Sequence, residues 1–373
     1  MARGLAIHVL ACAGLLLGCE SDLPKATEIT HMRVLGARFE VAGDEERATP
    51  KPGETVRMSM PVVFPTLAET TAETETLLIG CTAPDRYTGG FPICQEFIDA
   101  AMAGGSLTGA LPMVDLLDCD RIERLPDFLK NPEPEGSLPG ALSIRCVSGD
   151  PVAEVQIPEA FTAENFLFLG VVCERGRARI SANDPLLFGC DDGDGGEVLR
   201  FNGNAPVQYE DEQENDNPSL APDLEPFLIE REGRTWEPFV PQAEDDMPPD
   251  EGCATYTRPS GDVDPKNDPQ FHSVVSGAHR IVLKYRADAR ERFDGEPEPL
   301  QFTVYTTLGE MERRFTLFAS DDEGEDGVLE SELDWDPPRP SEVSRAGQLV
   351  RFFITLRDQR GGFALTERIL CLR

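Results

Sequence analysis

Ten cysteines are the residues of this chain whose type and spacing say most about its chemistry. None stands in a Cys-x-x-Cys pair, the spacing common to zinc sites and dithiol redox sites. Apart from Cys12 and Cys19 near the N-terminus, they form an even set of eight, which predicts disulfides in an oxidising compartment. Eight cysteines allow about 105 connectivities. Among these we favour the four pairs of sequence neighbours: Cys81 with Cys94, Cys119 with Cys146, Cys173 with Cys190, and Cys253 with Cys371.

Cys19 stands apart because it closes the segment Leu16-Leu17-Gly18-Cys19 at the end of an apolar stretch that begins at Gly4. With Arg3 in front of that stretch, the arrangement resembles a bacterial lipoprotein signal, in which the thiol receives the lipid. The stretch is too short to span a bilayer, which takes about 20 apolar residues. We therefore expect residues 1–18 to be removed and Cys19 to carry a lipid anchor, at the outer membrane or cell surface rather than the inner membrane.

Two alternatives compete with this interpretation. Cys12 ends a similar segment, but cleavage there would leave the apolar run from Ala13 to Leu17 on the mature protein. An ordinary secretory signal with an incidental cysteine is the other possibility, since leucine is less usual two residues before the lipidated cysteine. Each alternative still predicts an extracytoplasmic protein.

Catalytic motifs are scarce in the rest of the chain. It has four histidines and contains no HExxH, GxSxG, P-loop or GxGxxG motif. Its 68 acidic residues make neighbouring carboxylates common by chance, whereas glycosidase-type catalysis needs one of a pair to be desolvated. The sequence therefore predicts a protein that is not an enzyme. It also predicts that His279, at the start of a strand, is a solvated edge residue.

The formal net charge of −34 restricts the partners of the chain. Nucleic acids and anionic headgroups bind where lysine and arginine neutralise phosphate, and this surface is dominated by acid. We expect no nucleic-acid partner and contact with the membrane only through the lipid anchor, which leaves an unidentified protein or glycan as the ligand.

Calcium is the one cofactor for which the sequence supports a hypothesis. Asp191, Asp192, Asp194 and Glu197 lie in a glycine-rich loop, and hard cations prefer several oxygen ligands. The loop lacks the full EF-hand pattern, so we expect weak binding at most. The alternative is an acidic loop that serves solubility.

Apolar residues in the C-terminal half recur with a period of two, which is typical of strands with one buried face. The pattern covers Ile281 to Tyr285, Phe302 to Val304 and Val350 to Leu356, and it places Phe315 and Leu317 on a buried face. Short glycine-containing turns separate these segments, as in antiparallel hairpins. The pattern predicts an all-β fold of immunoglobulin-like β-sandwiches.

The acidic, proline-rich stretch from Ala205 to Gln270 marks the domain boundary, with 18 acidic against four basic residues and 11 of the 31 prolines. The predicted organisation follows from this boundary: signal peptide 1–18, tether 19–28, N-terminal β-sandwich 29–209, linker 210–225 and C-terminal immunoglobulin-like β-sandwich 226–373. A partly helical insertion is predicted at about 90–144, between Gly90 and Ile144, where the strand period disappears.

Three segments resemble the uncharacterised surface lipoproteins of myxobacteria: ITHMRVLGARFEVAGDEERATPKPGETVRM, FLGVVCERG and RGGFALTERILCLR. The resemblance implies two immunoglobulin-like domains on a lipid anchor and no known reaction. We therefore expect an envelope or cell-surface module with a structural or binding role. The alternatives are an accessory lipoprotein of a secretion, motility or other envelope assembly, and a calcium-dependent adhesion module.

Overall fold

The structure is a computed structural model, and it describes the greater part of the chain. The described residues are 26–44, 47–67, 69, 71–82, 117–120, 143–180, 188–191, 196–208, 228–231, 234–236, 248–255, 271–272, 278–287, 290–293, 296–319, 327–358 and 361–373. Within them the fold is almost entirely β, and no helix is long and apolar enough to cross a bilayer. The predicted signal peptide, the linker 210–225 and nearly all of the predicted insertion lie outside these residues.

The described residues of the N-terminal half form twelve strands and one short 3₁₀ helix at Thr71–Glu73. The strands are β1 (Arg33–Val34), β2 (Arg38–Val41), β3 (Thr55–Ser59), β4 (Val62–Val63), β5 (Glu75–Thr82), β6 (Leu117–Asp118), β7 (Ser143–Ser148), β8 (Val152–Gln156), β9 (Asn165–Cys173), β10 (Arg177–Ile180), β11 (Phe188–Asp191) and β12 (Val198–Pro206). They form sheets in the orders β12-β9-β5-β7, β2-β3-β8, β11-β10-β6 and β1-β4.

The β12-β9-β5-β7 sheet is the central layer of this half. Its strand β9 reads NFLFLGVVC and is buried along almost its whole length, which is expected of a strand covered on both faces. One face packs on the β2-β3-β8 sheet through residues such as Met58 and Phe168. The other face packs on the β11-β10-β6 sheet around Phe188.

The C-terminal half contributes twelve more strands and a 3₁₀ helix at Cys253–Thr255. The strands are β13 (Leu228–Arg231), β14 (Arg234–Trp236), β15 (Phe271–His272), β16 (His279–Arg286), β17 (Arg292–Phe293), β18 (Glu296–Pro297), β19 (Leu300–Thr306), β20 (Glu310–Met311), β21 (Thr316–Phe318), β22 (Val328–Asp336), β23 (Gln348–Arg357) and β24 (Phe363–Leu372). Two five-stranded sheets, β14-β13-β16-β22-β20 and β15-β24-β23-β19-β21, enclose a common core. All pairings within them are antiparallel except that of β15 with β24.

Trp335 lies at the centre of that core. Strand β22 alternates strictly between exposed and buried residues, so its period of two turns the indole inward. The ring packs edge-on against Phe352 of the facing sheet at 5.0 Å, and its Nε1 donates to the carbonyl of Leu308. The indole is therefore part of the core and does not provide an exposed stacking platform.

Two expectations about individual residues were wrong. His279 is fully buried beside Trp335, because it lies on the same face of β16 as Ile281 and Leu283, and that face packs into the core. Phe315 and Leu317 are 48% and 50% exposed, whereas Phe318 is buried. The short edge strand β21 thus has the register opposite to the one expected, and a shift of one residue exchanges its two faces.

The two halves pack on each other through a buried cluster. Ile29, Leu35 and Val63 of the N-terminal half contact Phe353 of β23. Backbone hydrogen bonds also join the two halves: Ile29 N donates to Thr306 O at 2.8 Å, and Thr306 N donates to Thr27 O at 2.9 Å. The segment that follows the predicted tether is therefore held against strand β19.

Three disulfides are present among the described residues: Cys119–Cys146, Cys173–Cys190 and Cys253–Cys371. These are three of the four pairs expected from sequence proximity. Cys81 is also disulfide-bonded. Its expected partner, Cys94, lies outside the described part of the chain. The Cys253–Cys371 bridge ties the 3₁₀ helix to the last strand, and its sulfur atoms lie in a small core with Leu349 and Ile369.

Candidate ligand-binding cleft

A cleft of about 700 Å³ opens between the two halves, and we call it the β12 cleft. One wall is the middle of β12, from Leu199 to Asn204. The opposite wall belongs to the C-terminal half and includes Tyr305, Arg357 and Phe363. Its volume lies within the range of about 300 to 1,000 Å³ that is usual for small-ligand sites.

The β12 wall is the open margin of a sheet. Among the described strands, in the order β12-β9-β5-β7, β12 pairs only with β9, along nine residues from Val198 to Pro206. A strand at the edge of a sheet presents a row of backbone N–H and C=O groups on its outer side. That outer side borders the β12 cleft.

The apolar part of the cleft comes from aromatic rings on both sides. Phe39 and Phe168 pack edge-on with their ring centres 5.3 Å apart, and both border the cleft together with Phe201. At Gly203, a Cβ would collide with the ring of Phe168. The glycine therefore lets β12 lie directly over this ring.

Arg357 is the charged side chain that borders the cleft from the C-terminal half. Its Nη2 donates to the carbonyl of Leu35, and its guanidinium lies 5.6 Å from the ring centre of Phe363. A Cβ at Gly36 would come within 3.0 Å of that Nη2 and 2.5 Å of the Phe363 ring, so this close approach requires glycine. Within the described part of the chain, no carboxylate forms an ion pair with Arg357, and its Nε is buried without a hydrogen-bond acceptor.

Arg200 also belongs to the lining, but its side chain is engaged elsewhere. Its Nε donates to the carbonyl of Phe188 at 2.7 Å, on the side of the sheet that packs against β11. The contribution of Arg200 to the cleft is therefore its backbone. Among the described residues that border the cleft there is neither Asp nor Glu, although the chain carries twice as many acidic as basic residues.

A group of three carboxylates lies in the C-terminal half. One oxygen from each of Glu291, Glu298 and Asp358 lies within 4.8 Å of the others, and Glu298 and Asp358 are only 2% and 1% exposed. Glu298 Oε1 accepts from Glu291 N at 3.1 Å, and Asp358 Oδ1 accepts from Gly362 N at 2.8 Å. Three oxygens at this spacing are suitable ligands for a hard cation. The acceptors also have a structural role, because they brace the turns that carry them.

The proposed calcium ligands have other partners where the structure describes them. Asp191 forms an ion pair with Arg179 at 2.8 Å. Glu197 accepts from the backbone of Met32 at 2.6 Å and from His31 Nδ1 at 2.8 Å. Asp192 and Asp194 lie outside the described residues, as does Cys19. The two described carboxylates thus join strands within the N-terminal half.

A third acidic site, in the N-terminal half, is part of a nearly buried ion pair. The guanidinium of Arg47 donates from Nη1 and Nη2 to the two carboxylate oxygens of Glu54, at 2.8 and 2.7 Å. Burial raises the pKa of Glu54, but the hydrogen bonds from Arg47 and from Lys51 N outweigh it, and the net effect is a lowered pKa. The hydrogen bonds that Arg47 donates to Glu54 and to Asp44 raise the pKa of Arg47. The pair closes the turn between β2 and β3.

Sequence reasoning did not identify the β12 cleft. Its walls come from β12, from the segment before β2 and from residues after β23, which are far apart along the chain. The local signals were glycines at Gly36 and Gly203, and a glycine alone does not indicate what approaches it.

Comparisons with known proteins identify no family for this chain. No family model matches it, and no curated protein matches it. Among solved structures, it is similar to trypsin-activated alpha-2-macroglobulin from Escherichia coli, with 10% identity and a TM-score of 0.20. The match covers 94% of this chain but 18% of that one, so this chain spans less than a fifth of its length. A TM-score this low carries no argument about function.

Proposed function

We propose that this chain is a lipid-anchored binding module of the bacterial envelope or cell surface, built from two immunoglobulin-like domains and held to the membrane at Cys19. The observation that carries the proposal is the β12 cleft, which combines an open strand edge, aromatic rings and one arginine without an ion-pair partner in the described residues. The proposed role is binding without catalysis.

The rigidity of the walls supports a preformed binding site. The cluster around Ile29 and Phe353 is buried between the halves. Arg351 donates across the same junction to the carbonyls of Phe64 and Thr66, at 3.0 Å each. A site whose walls are fixed in this way loses little conformational entropy on binding.

Disulfide bonds support the extracytoplasmic location, because they persist in the periplasm and at cell surfaces and are rare in the cytosol. The lipid anchor itself rests on the sequence around Cys19. Metabolic labelling with an alkyne fatty acid tests it directly. We expect label on the wild-type chain and on Cys12→Ala, and none on Cys19→Ala. Equal labelling of all three would refute Cys19 as the lipidated residue, and no label on the wild type would refute the anchor.

Protease treatment of intact cells then distinguishes a surface module from an envelope accessory protein. We expect cleavage in the acidic stretch from Ala205 to Gln270 while the cells stay sealed, with a periplasmic marker protein as the intactness control. Protection until the outer membrane is opened would instead favour the accessory lipoprotein of an envelope assembly.

A further inference from the structure

We propose that the β12 cleft binds an extended peptide segment of a partner protein, which adds to the β12-β9-β5-β7 sheet as a fifth strand beside β12. This inference rests on the proposed binding function and names its ligand class. The occupant is a strand with alternating apolar side chains and one carboxylate. The chemistry of this occupant follows from the open strand edge, the aromatic rings and Arg357.

The backbone hydrogen bonds determine which groups of β12 are open. Glu174 N donates to Glu197 O at 3.0 Å, and Val207 N donates to Glu164 O at 2.9 Å. In an antiparallel pair, hydrogen-bonded positions alternate with positions whose N–H and C=O point away from the partner. Both bonds show that the backbone N–H and C=O groups of the odd-numbered residues of β12 point toward β9. The outward groups therefore belong to residues 198, 200, 202, 204 and 206.

The centre of the β12 edge lacks the features that usually prevent an edge strand from pairing with another strand. Natural edge strands are blunted by charged side chains, prolines or bulges. Pro206 ends the edge, and the guanidinium of Arg200 is tied to Phe188 O and does not cover it. Asn202-Gly203-Asn204 lies between them, with both asparagines exposed and no side chain on Gly203. Donors and acceptors of this stretch are thus available to an added strand.

The side-chain preference follows from the surface beside the edge. Every second residue of an added strand lies on the same face as Phe201 and Gly203, where the cleft contains the rings of Phe39, Phe168 and Phe363. Those residues should be apolar. Arg357 forms no ion pair with a carboxylate in the described chain, and a guanidinium pairs most strongly with a carboxylate. One acidic residue in the ligand would supply a carboxylate to pair with the guanidinium of Arg357.

A phage-displayed library of random dodecapeptides is the probe, presented to the full-length chain in detergent. We expect enrichment of peptides with alternating apolar residues and an Asp or Glu. Asn202→Pro removes one outward N–H without breaking a bond to β9, and it should weaken binding of the selected peptides at least about tenfold, the effect of about 1.4 kcal/mol.

Ser148→Pro is the matched control because Ser148 lies on β7, at the opposite edge of the same sheet. There Gly149 N donates to Thr74 O, so the N–H of Ser148 also points outward. This variant should bind within about twofold of the wild type. Arg357→Gln should abolish the preference for an acidic residue. Thermal melts within a few degrees of the wild type verify that each variant is folded.

The inference would be overturned if no peptide is enriched, or if Asn202→Pro does not weaken the binding of the enriched peptides. It would also be overturned if the chain self-associates through β12 and Asn202→Pro abolishes that association in sedimentation experiments. Binding of oligosaccharides on a glycan array, competed by no peptide, would also overturn it. None of these results bears on the lipid anchor, which fatty-acid labelling of Cys19 tests separately.

Discussion

Arg351 and Glu367 lie on the neighbouring strands β23 and β24, and Arg351 Nε donates to Glu367 Oε1 over 2.6 Å. The same guanidinium holds two backbone carbonyls of the N-terminal half and lies 4.7 Å from the ring centre of Phe353. One side chain of the C-terminal half thus organises the junction on which the shape of the β12 cleft depends.

Removal of this guanidinium should loosen the junction. Arg351→Met leaves the partly buried carboxylate of Glu367 and two backbone carbonyls without their partner, and we expect a loss of about 2 kcal/mol in the free energy of unfolding. Denaturant titration measures this loss. Arg280→Met is the control, since Arg280 and Glu332 form a half-exposed pair and should contribute within about 1 kcal/mol. Equal effects of both substitutions would contradict the role of Arg351.

The buried indole of Trp335 should contribute more than any exposed apolar residue. Trp335→Ala removes a fully buried ring and its hydrogen bond to Leu308, with an expected cost of about 3 to 5 kcal/mol. Leu317→Ala, at a side chain that is half exposed, should cost less than about 0.5 kcal/mol. Chemical denaturation followed by circular dichroism compares the two, and a large effect at Leu317 would show that β21 is covered in solution.

Of the three described bridges, Cys253–Cys371 closes the longest loop, with a sequence separation of 118 residues against 17 for Cys173–Cys190. Chain-entropy arguments assign about 5 kcal/mol to the longer loop and about 3 kcal/mol to the shorter. We therefore expect the double variant Cys253→Ala/Cys371→Ala to unfold at lower denaturant than Cys173→Ala/Cys190→Ala. The reverse order would mean that native packing, and not loop length, determines the contribution of each bridge.

Stability should fall in acid partly through Glu54. Because its pKa is lower in the folded protein than in the unfolded chain, its contribution is fully present above the unfolded pKa and is lost as the pH falls through the folded value. Glu54→Gln should therefore flatten the dependence of unfolding free energy on pH below about 4.5. A Glu54→Gln profile parallel to that of the wild type would contradict the assignment.

The sequence alone determined the class of structure and much of its local pattern. Period-two alternation identified strands such as β16 and β23. Sequence neighbours also sufficed to name three disulfides. These properties depend on the alternation of a strand and on short chain separations, which are visible locally.

Tertiary structure alone decided the register of β21, the burial of His279 and the existence of the β12 cleft. Phe315 and Leu317 face outward because the neighbours of an edge strand, and not its composition, determine which side meets the core. His279 is buried because its face of β16 packs into the core beside Trp335 of the neighbouring strand. The cleft joins Gly36, Gly203 and Arg357, residues that are far apart in sequence, and such contacts exist only after the two halves have packed together.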